Sequence, residues 1–194
     1  MNSLKVKKII NEYFEKLKEL GLVDKRIEEK CKNNPKDTNL QMIIALFLIK
    51  NGFEIEKLET VYKEKPRDII VKNPFTVIEI TNMKDEEKFR DAKPLQVVDL
   101  GVVNLQRIEE RILEKGNELK NVSSSIIIFG LPPGTLKDEF DDIFYENKDL
   151  WKSIENIDMI IGWRNKKPEF CIKNPNREFP NGSLAEWFEK INFL

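Results

Sequence analysis

The sequence predicts an α/β fold: a mixed central sheet flanked by helices and preceded by an N-terminal helical arm. Three observations predict it. Apolar residues recur at helical spacing in some stretches and in short strand-like runs between them. Two β-branched runs, Ile69-Ile70-Val71 and Thr76-Val77-Ile78, lie on either side of Asn73-Pro74 and mark a hairpin. The run from Ile126 to Phe129, bounded by Ser125 and Gly130, reads as a fully buried strand. At 194 residues the chain is long enough for one domain with an appendage. The expected division is an arm over 1–36 and an α/β domain over 37–194.

Along the chain, Asn2 to Leu20 carries apolar residues at helical spacing, and Gly21 ends the pattern. A second short helix is expected from Val23 to Lys32, broken by Asn33-Asn34-Pro35. Asp37 or Thr38 then caps a buried helix from Asn39 to Lys50. Phe53 to Tyr62 reads as one strand, followed by the hairpin strands Arg67–Lys72 and Thr76–Thr81. Residues 81–94 form a polar loop, and 95–103 a strand or the start of a helix. Asn104 to Asn121 is a clear helix despite Gly116. After the strand ending at Phe129 come an acidic helix over 136–151, two strands joined through Asn165-Lys166, and a closing helix from Leu184.

Composition excludes several chemistries. The chain has no histidine, so His-based triads, His–Cys dyads and HExxH zinc sites are ruled out. Two isolated cysteines, Cys31 and Cys171, cannot supply four zinc ligands, and their number fits a reduced, cytoplasmic protein. Gly130 to Gly134 places two prolines where a phosphate-cradling loop needs free N–H groups. No apolar run is long enough to span a bilayer, and the charged N-terminus does not read as a signal peptide. The net charge of −1 gives no global field, so any nucleic-acid surface must be local. Charged residues make up 35% of the chain, a feature shared with thermophilic proteins.

The functional signal lies in the hairpin. Pairing Val71 with Thr76 sets the ladder Ile70–Val77, Ile69–Ile78 and Asp68–Glu79. Two carboxylates then stand opposite each other, which destabilises a sheet. A divalent cation would offset that cost, because magnesium takes oxygen ligands from one or two carboxylates together with substrate phosphate. The alternative is a pair of strand-end carboxylates neutralised by nearby cations, Arg67 and Lys65 being closest in sequence.

A helix, a three-strand meander carrying Pro66-Arg67-Asp68 and Glu79-Ile80-Thr81, then a helix and a strand, resembles the core of the PD-(D/E)xK nuclease superfamily from about residue 38 to 129. The resemblance implies a restriction-endonuclease-like fold and metal-dependent hydrolysis of DNA or RNA. It implies Asp68 and Glu79 as ligands for magnesium or manganese. Thr81 stands where the family has the lysine that assists the attacking water. Lys84 or Lys88, or Gln106 or Arg107 on the following helix, are the candidates to replace it. Where many members have a Glu on the first core helix, this helix begins Asn39-Leu40-Gln41 and offers only a neutral amide.

A basic stretch of Arg164, Lys166, Lys167, Lys173 and Arg177 is the candidate nucleic-acid surface. Trp163 is either a base-stacking residue or core. Two further readings stay open. One is a catalytically inactive nuclease-fold module that binds nucleic acid or a protein. The other is an N-terminal arm that docks to a partner or forms a homodimer.

Overall fold

In the computed structural model, residues 3–83, 97–131 and 137–191 are described. The chain divides into two compact units, Met1–Ile80 with Asn165–Lys167, and Thr81–Arg164 with Pro168–Leu194. The boundary expected after residue 36 falls inside the first of these.

The first unit opens with helices α1 (Ser3–Glu19), α2 (Lys25–Asn33) and α3 (Pro35–Lys50). Asp24 caps α2, its carboxylate accepting from the amides of Arg26 and Ile27 at 2.9 and 3.3 Å. Both α1 and α2 pack on α3, and Leu17 and Ile27 are fully buried there. The N-terminal helices therefore share a core with the helix that follows them. Helix α3 starts four residues earlier than expected, with Pro35 in its first turn. A proline is tolerated there because its missing N–H has no intrahelical partner. Thr38 Oγ1 donates to the Asn34 carbonyl instead of capping the helix.

The expected strand over 53–62 is two strands, β1 (Glu54–Ile55) and β2 (Thr60–Tyr62), broken at Glu59, which has φ of 58°. Next come β3 (Lys65–Arg67), β4 (Ile69–Asn73) and β5 (Thr76–Asn82). The β4–β5 register is the one expected, with Ile69 opposite Ile78, Ile70 opposite Val77 and Val71 opposite Thr76. All six of these residues are buried. Because successive side chains point to opposite faces, the hairpin is covered on both sides. The Asn73-Pro74 peptide is cis.

The second unit holds α4 (Val97–Glu118), β6 (Ser125–Gly130), α5 (Lys137–Glu146), α6 (Leu150–Ser153), β7 (Met159–Arg164), β8 (Lys167–Lys173) and α7 (Leu184–Lys190). The ambiguous stretch before Asn104 belongs to α4 from Val97 onward. Strand β6 is buried throughout and runs parallel to β7, with Ile127 opposite Ile160 and Phe129 opposite Gly162. Each large apolar side chain buried in this way contributes roughly 1.5–3 kcal/mol.

The strands form a six-stranded sheet in the order β1-β4-β5-β6-β7-β8 and a separate two-stranded ribbon of β2 and β3. With β1, β4 and β5 antiparallel and β6 and β7 parallel, this is a mixed α/β sheet. No helix among the described residues is long and apolar enough to cross a membrane.

Two glycines are explained by close packing. A Cβ at Gly116 would lie 2.3 Å from Ile154 Cγ2, so α4 tolerates a helix-weakening residue in order to sit close to Ile154. At Gly162, a Cβ would lie 2.4 Å from two carbons of the Phe170 ring and 2.8 Å from Leu131 Cδ1. Gly162→Val adds a good strand former but has no room for it. It should cost about 3 kcal/mol, the upper end for overpacking, seen as a lowered urea midpoint with an unchanged m-value.

Candidate functional site

Asp68 immediately precedes β4 and the Ile69–Ile78 pair, and Glu79 follows Ile78 on β5, near enough for its charge to raise the Asp68 carboxyl. Around them the first unit gathers Lys30 from α2, Gln41 from α3, Glu59 from the β1–β2 connection and Arg67 from β3. Arg67 Nη1 lies 3.3 Å from Glu79 Oε1, and both side chains are almost wholly buried. Lys30 Nζ pairs with Glu59 Oε1 and lies 3.7 Å from Asp68 Oδ1. Asp68 Oδ2 accepts from the Ile80 amide at 2.7 Å.

Gln41 ties the elements together. Its Nε2 donates to the Asp68 carbonyl at 2.7 Å and to Glu59 Oε1 at 3.2 Å. Lys30 Nζ donates to its Oε1 at 3.5 Å. The neutral amide that replaces an expected acid therefore anchors one. Glu59 adopts a left-handed backbone that costs a non-glycine residue free energy and persists only where surrounding contacts hold it. Here Arg26 Nη2 donates to its carbonyl at 2.8 Å, and its own amide reaches the Asp68 carbonyl at 3.4 Å.

Among the described residues, the three carboxylates Glu59, Asp68 and Glu79 lie close to the cations Lys30 and Arg67. The strain falls on Asp68. Burial, then the nearby Glu79, pushes its carboxyl up to about 7, against the opposing pull of Lys30 and the Ile80 amide. The donors are hard carboxylate oxygens, and 16% of the Asp68 side chain remains exposed. Asp68 and Glu79 are therefore of the right type to hold magnesium or manganese, with the remaining positions left to water and phosphate. Among the described residues, no group of three or more acidic or cysteine side chains is arranged to enclose a metal by itself.

Thr81 is half-buried on β5, two residues beyond Glu79. Lys84 and Lys88 lie outside the described residues. Gln106 and Arg107 are exposed on α4.

The basic stretch is not one surface. Arg164 pairs with Glu169 at 3.1 Å, Lys166 sits 5.4 Å over the Tyr13 ring, and Lys167 is exposed. Lys173 is at the far end of β8, about 20 Å of extended strand away. It pairs with Glu189 at 3.5 Å and covers the Phe179 ring. Arg177 is committed to the protein: Nε meets the buried Asp158 at 2.7 Å, and the other nitrogens donate to the carbonyls of Glu155 and Ser123. Trp163 is 1% exposed, so it is core and unavailable for base stacking. Burial pushes the Cys171 thiol up to about 12 and also raises Cys31, so neither is an activated nucleophile.

Lys30, Glu59 and the bridging role of Gln41 were not legible in the sequence. Lys30 sits on a short, highly charged helix and Glu59 among other glutamates, and neither carries a local pattern. Comparison of the chain with protein-family models, with curated proteins and with solved structures returned no match.

Proposed function

We propose that the chain is a metal-dependent phosphodiesterase of the restriction-endonuclease-like type, acting on DNA or RNA, with Asp68 and Glu79 as ligands for magnesium or manganese. The observation that supports this reading is the pair of carboxylates at the Asp68 end of the β4–β5 hairpin, where burial and then the nearby Glu79 raise Asp68 to about 7. When bound, a hard divalent cation supplies positive charge against the phosphate and makes a coordinated water more acidic. The chain's own residues prepare that position. The Ile80 amide orients Asp68, Arg67 orients Glu79, and Gln41 holds the backbone of Asp68. Of the basic stretch, Lys166 and Lys167 are exposed at the β7–β8 turn and are the residues offered to a phosphate backbone. The free thiols of Cys31 and Cys171 support a reducing, cytoplasmic setting.

The second reading, a non-catalytic module with the same site, is favoured by Thr81 standing where the family has lysine. Homodimerisation through the N-terminal helices would use the faces that their own core leaves over, where Leu20 is exposed.

Calorimetric titration with Mn²⁺ and Mg²⁺ tests these readings, with the same samples incubated with single- and double-stranded DNA and RNA. The wild type is expected to bind and to cleave. Glu79→Ala should lose more than the roughly 10–100-fold affinity that removal of an outer partner costs. Binding without cleavage selects the non-catalytic module. An absence of binding at millimolar metal, with or without nucleic acid, removes the metal reading.

A further inference from the structure

We propose that Lys30, contributed by α2, is the phosphate-facing cation of the carboxylate site and does the work that Thr81 cannot. The proposal rests on the reading of Asp68 and Glu79 given above and adds a residue to it.

Among the described residues, Lys30 and Arg67 reach the cluster, and they differ in kind. Arg67 is 3% exposed, held on Glu79 and fixed in the β2–β3 ribbon opposite Thr60. It is a structural partner with no path to a ligand. Lys30 keeps 33% of its side chain accessible, and its ammonium lies between Glu59 and Asp68. A flexible four-carbon stem carrying three donors can turn from a carboxylate to a phosphate oxygen a few ångströms away without moving the backbone.

The support for Lys30 is built into the fold. Asp24 caps α2, Ile27 anchors it in the core, and Lys30 follows one turn later. Arg26 and Lys30, four residues apart on α2, grip Glu59 by its carbonyl and its carboxylate. Glu59 in turn keeps Lys30 beside Asp68. The helix that precedes the α/β core in sequence is on this view part of the active site.

The test compares wild type, Lys30→Met and Lys30→Arg in the full chain. Mn²⁺ affinity is measured by calorimetry without nucleic acid, and kcat and KM are measured on a labelled oligonucleotide with Mn²⁺. Lys30→Met should bind Mn²⁺ within about threefold of wild type, keep its KM and lose roughly 10²–10³ in kcat, as removal of one charge-stabilising donor does. Lys30→Arg should recover part of that loss. Unchanged kcat in Lys30→Met overturns the proposal and leaves the metal reading standing. So does a parallel fall in folding stability, metal affinity and kcat without rescue by Arg, because that marks a structural counter-ion. A wild type that binds no Mn²⁺, or binds it and cuts nothing, overturns the catalytic reading of the site and this proposal with it.

Discussion

Arg67→Ala is expected to lower unfolding free energy by about 3–5 kcal/mol, the cost of leaving one member of a buried ion pair without its partner. Glu79 is 3% exposed, and Arg67 lies 3.3 Å from its carboxylate. Truncation at 67 also removes a side chain that fills space beneath the β2–β3 ribbon, so relaxation by water entry is limited. The double variant Arg67→Met/Glu79→Leu should regain most of the loss, because matched apolar residues remove both desolvation penalties. Urea unfolding of the two single variants and the double variant gives the coupling directly. A loss below about 1 kcal/mol for Arg67→Ala would mean that the pair is effectively hydrated, as exposed pairs are.

Asp68→Asn is expected to stabilise the metal-free protein at pH 8 and to change little at pH 4. The folded carboxyl is raised to about 7 by burial and by Glu79. An unfolded aspartate titrates near 3.9. Between those values the folded state holds a proton that the unfolded state has released, so stability falls as pH rises from about 4 to about 7. About three units at 1.36 kcal/mol each set the penalty at roughly 4 kcal/mol above pH 7. Asparagine removes the charge and keeps an acceptor for the Ile80 amide. In wild type a divalent cation should relieve the same penalty, so millimolar Mn²⁺ should raise the denaturant midpoint at pH 8 but not at pH 4. Asp68→Asn should not respond to the metal. An identical pH dependence in the two proteins would show that Asp68 is not the strained group. Gaining stability by giving up a ligand is the usual trade at a functional site.

The places where the structure departs from the sequence expectation have local causes. Asn33-Asn34-Pro35 reads as a helix breaker, yet Pro35 is compatible with a first turn and α3 begins on it. The single strand expected over 53–62 is split because Glu59 takes a left-handed turn, held by Arg26, Lys30 and Gln41 from two helices. Gly116 looks like a weak point in a helix and is instead the residue that lets Ile154 approach.

The sequence by itself indicated most of the helices and strands and offered, as one possible pairing, the register that the central hairpin adopts. Apolar period separates helix from strand, but β4 and β5 bury apolar residues on both faces, so burial alone does not choose between registers. Asp68 and Glu79 were legible as a candidate pair because setting Val71 against Thr76 and counting back along both strands brings them level. The tertiary structure alone decided which charges meet them. Lys30 lies 38 residues from Asp68 and 29 from Glu59 along the chain, and Arg26 lies 33 from Glu59. No spacing rule spans such gaps. Their convergence depends on how α2 packs on α3, and that is set by the burial of Ile27 and its neighbours, not by the charged residues themselves. The same physics dispersed the basic stretch. Residues close together in sequence on an extended strand are carried to opposite ends of it, and buried Asp158 draws Arg177 into the protein.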